Sequence, residues 1–217
     1  MSFLLKNLLD FLFPRAASVA ALENMSAAEL WRLPRAANAG RAGAPDTIAL
    51  FDYKHPLMRA AIWELKYRGN PTMAKLFAQC LYDELSAELV ERKLFEHFNR
   101  PLLVPVPISE KRRAERGFNQ CELLAAALGA LDGGRFFEVR ANLLIRVRHT
   151  ESQTRKNRAD RLNNLKDCFS VARPEALIGR TVILLDDVTT TGATFDEAGE
   201  TLRRAGAEKI IKVAIAH

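Results

Sequence analysis

The chain has 217 residues, of which 48% are hydrophobic and 27% charged, and its net charge is +6. This length fits one domain with a single sizeable core plus a modest appendage, and the composition is typical of a globular protein in solution. No apolar run approaches the roughly 20 residues that a membrane-spanning helix needs. Three widely spaced cysteines argue against a disulfide framework or a zinc site and favour a reducing cytoplasm. A pI of about 9.4 predicts a polyanionic partner, either nucleic acid or a phosphate-rich small molecule.

Residues 1–46 are predicted to form a short helical lead-in to the main domain. The opening segment, MSFLLKNLLDFLFPR, is apolar but interrupted by Lys6 and Asp10, and it lacks the small-residue cleavage site of a signal peptide. A short amphipathic helix packing on the main body is the interpretation that fits it. Residues 14–46 are rich in Ala, Arg, Pro and Gly, with one predicted helix at 26–33.

The pattern of residues 47–217 predicts an α/β domain with a mainly parallel central sheet flanked by helices. Short apolar runs predict strands, helical periodicity predicts helices, and Gly or Pro marks their ends. The predicted strands are 47–53, 101–107, 139–146, 181–185 and 209–216, and the predicted helices are 55–67, 71–98, 118–131 and 194–204. A polar basic loop is predicted after Pro107, and residues 150–166, without apolar periodicity, are predicted to be a long mobile loop. Strands and helices alternating in this way are typical of parallel sheets.

Residues 182–194, VILLDDVTTTGAT, carry the chemistry. At the carboxyl end of a buried strand, where α/β proteins bind ligands, Asp186 and Asp187 emerge first, and carboxylates accept hydrogen bonds from vicinal ribose hydroxyls. Gly192 permits a tight turn into a helix, so that backbone N–H groups, threonine hydroxyls and the helix N-terminus surround one phosphate. The predicted ribose-phosphate ligands are Asp186, Asp187, Thr190, Thr191, Gly192, Ala193 and Thr194. The alternative is an ordinary polar loop with a helix cap; the Gly-Lys-Ser/Thr element of a Walker A loop is missing.

This segment resembles the phosphoribosyl-pyrophosphate signature of type I phosphoribosyltransferases. LKYRGN at 65–70, VPVPISEKRRAERGFNQ at 104–120 and RHTESQTRKNRADRLNNLKDCFSV at 148–171 narrow the resemblance to the ComF family, which includes competence proteins for DNA uptake and the related GntX proteins. The resemblance covers about residues 47–217. It implies a type I phosphoribosyltransferase fold, phosphoribosyl pyrophosphate with Mg²⁺ as ligand, and, for an enzyme, displacement of pyrophosphate from the ribose C1.

The resemblance also implies where the pyrophosphate lies. The loop after Pro107 corresponds to the pyrophosphate-binding loop, and the span 149–164 to a flexible loop that closes over this group. The cations that they offer are Lys111, Arg113 and Arg116 from the first, and Arg155, Lys156 and Arg158 from the second. Lys66 and Arg68 either face the same anion or extend along the surface of their helix.

Two departures from the family pattern narrow the expected function. The amino-terminal zinc-binding cysteine pairs of the family are missing, since no cysteine precedes Cys80, so no zinc is expected. Purine-salvage enzymes of this fold carry an acid where this chain has Thr190, which argues against that reaction. No general base, metal ligand or acceptor is identified. The alternatives to an enzyme are a DNA-uptake accessory or DNA-binding protein that uses the site as a sensor, and an adaptor acting through the lead-in and Trp31.

Overall fold

The computed structural model describes residues 22, 24–36, 47–95, 100–147 and 167–217. The predicted amphipathic helix at the amino terminus and the predicted closing loop at 149–164 lie outside these residues, and so do Arg155, Lys156 and Arg158. No helix within the described ranges combines the length and the apolar composition needed to cross a bilayer.

A five-stranded parallel sheet with helices on both faces forms the body of the protein. Its strand order is β1-β7-β6-β2-β3, and a separate antiparallel pair joins β4 to β5. The strands are β1 (Thr47–Phe51), β2 (Leu102–Pro105), β3 (Glu138–Val139), β4 (Leu144–Arg146), β5 (Phe169–Val171), β6 (Thr181–Val188) and β7 (Lys209–Ala216). The helices are α1 (Ala27–Leu30), α2 (Pro56–Trp63), α3 (Pro71–Phe95), α4 (Glu110–Arg116), α5 (Gln120–Asp132) and α6 (Ala193–Arg204), with a 3₁₀ turn at Pro174–Ala176. The predicted fold class, an α/β protein with a mainly parallel central sheet, is confirmed.

The central strand β6 explains why its sequence is a continuous apolar run. Ile183 and Leu185 pack into a core with α3 and α5, whereas Val182 and Leu184 pack into a second core with α6. A parallel strand covered on both faces buries every side chain, so it shows no alternation of polar and apolar residues. All five strands therefore end at one edge of the sheet, and the loops that follow β6 and β2 meet there.

Two predicted elements were wrong in outline. The segment predicted as one strand at 139–146 is two strands, because a turn at residues 140–143 moves the chain from the parallel sheet to the antiparallel pair. The polar loop predicted after Pro107 contains α4, capped at its start by the Ser109 hydroxyl and ended by Gly117 in a left-handed conformation with φ of 82°. Residues 110–116, EKRRAER, hold one alanine and no larger apolar side chain, so hydrophobic periodicity could not reveal this helix.

The described part of the lead-in packs against the main domain. A capping box between Ser26 and Glu29 starts α1, and Leu30 is fully buried in the core that α3 and α5 share. The Trp31 ring lies 5.7 Å from the ring of Phe51, the last residue of β1. The edge strand β1 is thus covered on this side by apolar and aromatic contacts.

Candidate functional site

Asp186 and Asp187 lie within β6, close to its carboxyl end, and their carboxylates have different partners. Asp186 Oδ1 accepts hydrogen bonds from the Asp187 N–H at 2.8 Å and from the Cys121 thiol at 3.3 Å. Asp187 Oδ1 accepts from the Val188 N–H at 3.0 Å, and its Oδ2 lies 3.1 Å from Lys66 Nζ. The contact between Lys66 and Asp187 is an ion pair whose geometry does not meet that of a hydrogen bond. Asp186 is partly exposed, whereas Asp187 is buried.

Lys66 reaches the acids because α2 changes its winding. The helix continues beyond Trp63 as a π-helical turn, Glu64–Arg68, and stops at Gly69, whose φ is 60°. A side chain at position 69 would lie 3.0 Å from the Phe118 ring, so the close approach there also requires glycine. Arg68 points inward, where it pairs with Glu64 at 3.3 Å and lies over the Trp63 ring. Of the two cations in the LKYRGN segment, Lys66 therefore faces the acids and Arg68 holds the turn.

Burial and neighbouring charge set the protonation of this group. Burial, and next the charge of Asp187, raise the pKa of Asp186 to about 7, although Lys66 opposes the rise. For Lys66, burial lowers the pKa, but the attraction of Asp187 and Asp186 outweighs it and the pKa stands above its ordinary value. Burial and Asp186 raise the pKa of the Cys121 thiol well above its usual range. Cys121 is therefore protonated at neutral pH and donates to Asp186.

Cys121, Asp186 and Asp187 are also the group of described residues closest to a metal site, since their ligand atoms lie within 4.8 Å of one another. The donor chemistry does not match a magnesium site, because Mg²⁺ takes oxygen ligands and the Cys121 sulfur is protonated. Both Asp187 oxygens are engaged by Val188 and Lys66. By themselves, these three described residues thus do not form a complete magnesium site.

The chain between β6 and α6 forms the predicted turn. Gly192 adopts φ of 78° and is the N-cap of α6, which follows directly. The Ala193 N–H donates to the Thr191 hydroxyl at 3.4 Å, while Thr190 is exposed and Thr191 and Thr194 are partly exposed. The dipole and the first-turn N–H groups of a 12-residue helix favour an anion at this place. That these residues hold a phosphate stays a prediction.

Arg116, one of the three cations predicted from the first basic segment, interacts electrostatically with Asp187. Its guanidinium sits 4.7 Å over the Tyr67 ring and donates to Gln120 at 3.2 Å. Burial is the main cause that lowers the pKa of Arg116, and Asp187 partly offsets it. Arg113 pairs with Glu122, and Lys111 is exposed on another face of α4.

Cys121 and Arg146, which interact with Asp186, were absent from the predicted site, and so was Arg112, which interacts electrostatically with Arg116 and Arg146. Burial lowers the pKa of Arg146, and both Arg112 and Asp186 act on this guanidinium electrostatically. Arg112 stands one helical turn from Arg116, a spacing that would have identified it once α4 was recognised. Nothing in the sequence alone ties Arg146 or Cys121 to Asp186, because these contacts join separate elements.

Known proteins with similar sequences match substantial parts of this chain. Residues 126–217, which contain β6, the turn and α6, match the model of the phosphoribosyl transferase domain family. Competence protein F of Haemophilus influenzae is 38% identical over 111 residues, which are 50% of this chain and 46% of that protein. Competence protein ComFC of Bacillus subtilis is 31% identical over 150 residues, which are 69% of this chain and 55% of that protein.

A longer match covers more of the relative. The DNA utilization protein YhgH of Salmonella typhimurium is 30% identical over 163 residues, 75% of this chain and 68% of that protein. The chain spans about half the length of the two competence proteins, so the similarity concerns the domain rather than each whole protein. With the parallel sheet and the signature at its edge, these matches show that the chain belongs to the ComF family and has the type I phosphoribosyltransferase fold.

Proposed function

We propose that this protein binds phosphoribosyl pyrophosphate at the carboxyl end of β6. The observation that carries the proposal is the partly exposed carboxylate of Asp186 near the end of β6, followed by the tight turn at Gly192 from which α6 begins. A carboxylate accepts hydrogen bonds from ribose hydroxyls, while backbone N–H groups at a helix start bind a phosphate. The two features lie on either side of a short turn, as a 5-phosphoribosyl group requires.

The pyrophosphate is assigned to the basic segment after β2. Arg116 and Arg112 belong to α4, and Arg146 brings a third guanidinium towards Asp186. Guanidinium groups bind phosphate oxygens in pairs of parallel hydrogen bonds. Lys111, Arg113, Arg155, Lys156 and Arg158 remain proposed contributors, from the resemblance to the family. Mg²⁺ would enter with the pyrophosphate and neutralise its charge, since the described residues form no complete cage for it.

We also propose that a nucleophile displaces the pyrophosphate at the ribose C1. The contribution of the chain is to hold the sugar through Asp186, hold the 5-phosphate at Gly192–Thr194, and neutralise the leaving group with the arginines. Thr190 stands where purine-salvage enzymes have an acid, and its exposed hydroxyl is no general base. The acceptor is therefore proposed to be other than a salvaged purine, and the reaction is assigned to the cytoplasm, where the three free, buried thiols stay reduced.

Ligand-linked stabilisation tests the binding proposal directly. Phosphoribosyl pyrophosphate with Mg²⁺ is expected to raise the melting temperature by about 5–10 °C at a hundredfold excess over Kd, because a ligand of the native state stabilises it by about 2.7 kcal/mol. Differential scanning calorimetry across a ligand series measures this shift. Mg²⁺ alone is the control and should leave the melting temperature nearly unchanged. A flat melting temperature across the full series would contradict the proposal.

A DNA-binding role is the second candidate, favoured by the arginines of α4 and by relatives named for competence and DNA utilization. The double variant Arg112→Ala/Arg116→Ala separates the two. We expect it to weaken phosphoribosyl pyrophosphate binding roughly tenfold or more, because charge-assisted contacts to phosphate are lost. Duplex DNA should bind the wild type weakly, with a small change of log affinity per log salt. Calorimetry measures the affinity for phosphoribosyl pyrophosphate, and fluorescence anisotropy across a salt series measures the affinity for DNA.

The double variant Arg203→Ala/Arg204→Ala is the matched control, since it removes two exposed cations from the far end of α6. For charge-dependent binding to duplex DNA, log affinity falls with log salt concentration at a slope of about 0.9 for each phosphate contacted. If the α4 variant kept its affinity for phosphoribosyl pyrophosphate and lost a steep DNA salt slope, the DNA-binding role would rank first.

A further inference from the structure

The two acids of the signature are not equivalent in this structure. Asp187 is 3% exposed, and both its oxygens are engaged, one by the Val188 N–H and the other by Lys66. Asp186 is partly exposed, and its Oδ1 accepts from the Asp187 N–H and from the Cys121 thiol. Asp187 thus faces the protein and Asp186 faces the ligand.

We propose that Lys66 is a positioning residue, which acts on the sugar through Asp187. By pairing with Asp187 Oδ2, its ammonium neutralises and holds the inner carboxylate, so that the outer carboxylate of Asp186 meets the ribose hydroxyls. Two adjacent carboxylates without a counter-charge would repel each other and rotate apart or take up a proton. This inference rests on the proposed binding of phosphoribosyl pyrophosphate and assigns the ribose part of that site.

The π-helical turn is what gives Lys66 this place. Arg68 pairs with Glu64 inside the turn, and the Trp63 ring lies 5.4 Å from the ring of Tyr67. Single π-helical turns inside helices occur often at functional sites, because they redirect one side chain. Lys66 is held among these contacts with 28% of its side chain exposed, and its head group ends on Asp187.

Two roles for Lys66 predict different ligand preferences. A lysine that contacted the pyrophosphate itself would be needed for the binding of both phosphoribosyl pyrophosphate and free inorganic pyrophosphate. A lysine that acts through Asp187 would be needed for the binding of phosphoribosyl pyrophosphate and ribose 5-phosphate, but not for the binding of inorganic pyrophosphate. Calorimetric titration of these three ligands into the wild type and Lys66→Met therefore separates the roles.

For Lys66→Met we expect affinity for phosphoribosyl pyrophosphate and ribose 5-phosphate to fall by roughly tenfold each, because a charge-assisted contact that holds the sugar's partner is lost. Inorganic pyrophosphate should bind unchanged. Lys66→Arg should recover the wild-type affinities to within about threefold, because it restores the cation. Lys75→Met, which removes an exposed lysine from α3, is the control for the loss of a charge and should bind as the wild type.

A double-mutant cycle adds a measurement that a merely structural role would not satisfy. If Lys66 acts through Asp187, Lys66→Met/Asp187→Asn should bind ribose 5-phosphate about as weakly as Asp187→Asn alone, since coupled residues are not additive. Additive losses, or a loss for inorganic pyrophosphate, would overturn the inference and leave the proposed function standing. A wild type that binds neither sugar phosphate overturns both. If Lys66→Met loses its native circular dichroism, Lys66→Arg decides, and a tenfold loss there contradicts the inference.

Discussion

Gly192→Val is expected to lower affinity for phosphoribosyl pyrophosphate by about a hundredfold or more, because several N–H contacts to one phosphate are lost together. Gly192 adopts φ of 78°, a conformation that β-branched residues rarely adopt. A Cβ added at this position would meet only Asp196 Oδ2, at 3.7 Å, so the loss comes from backbone strain rather than from a clash. Valine would force the turn to another conformation and redirect the N–H groups that start α6.

Gly133→Val is the matched control for this variant. Gly133 has a similar left-handed conformation, with φ of 56°, follows the end of α5, and has no atom within 4 Å of an added Cβ. Both variants should lose similar stability and keep native circular dichroism, but Gly133→Val should bind the ligand as the wild type. Calorimetry measures the affinities. Equal binding by the two variants would contradict the assignment of the turn as a phosphate site.

Asp186→Asn and Asp187→Asn are expected to change the free energy of unfolding in opposite directions. The pKa of Asp186 is raised to about 7, so its carboxylate is more costly in the folded than in the unfolded protein. Its favourable contribution is complete below the unfolded pKa of 3.8 and is lost as pH rises through about 7. Asp186→Asn should therefore raise the melting temperature at pH 8 by roughly 2–4 °C or more, and by less at pH 5.

Asp187→Asn should instead lower stability by about 1–3 kcal/mol, because Lys66 loses its ion-pair partner in a largely buried place. The charged and titratable groups that interact electrostatically with Asp186 or Asp187 are Lys66, Cys121, Arg116 and Arg146. Thermal unfolding at pH 5 and pH 8 measures both variants. If both variants changed the free energy of unfolding in the same direction, or if the effect of Asp186→Asn did not depend on pH, the two acids would not differ in the way described.

Ligand binding gives the second half of this prediction. Asp186→Asn should weaken ribose 5-phosphate and phosphoribosyl pyrophosphate by roughly tenfold, because one charged acceptor for the sugar hydroxyls is removed. Inorganic pyrophosphate should be unaffected. A loss common to all three ligands would indicate that Asp186 acts on the phosphates rather than on the sugar.

The sequence was sufficient to predict the sheet, because its signal is local. The run from Val182 to Leu185 is apolar on both faces, as is most of the run from Ile210 to Ala216, and such runs between helices indicate parallel strands. The turn at Gly192 was predictable for the same reason, since a glycine that follows three threonines directly before a helix permits the left-handed backbone conformation of a tight turn. Both predictions depend only on residues that are close to one another along the chain.

The features that the sequence did not reveal depend on contacts between distant residues. Cys121 and Asp186 are 65 positions apart and meet only because α5 begins beside the end of β6. The π-helical turn has no distinctive composition, so the separation of Lys66 from Arg68 could not be predicted. The polar composition of α4 gave no hydrophobic pattern from which to predict a helix. Its N-cap residue, Ser109, was a signal that the sequence did contain.

One buried side chain, Asn119, ties the basic segment to the end of β2 and to the start of α5. Asn119 Nδ2 donates to the Val106 carbonyl at 3.0 Å, and its Oδ1 accepts from the Cys121 N–H, also at 3.0 Å. Residues 107–118 therefore form a loop closed by a single amide, with α4 on the outside and no side chain of α4 in the core. A change of length within that loop would leave the sheet and α5 in place while moving Arg112 and Arg116 relative to the acids. The reach of these cations can thus change with the length of the loop, without rebuilding the fold around Asp186.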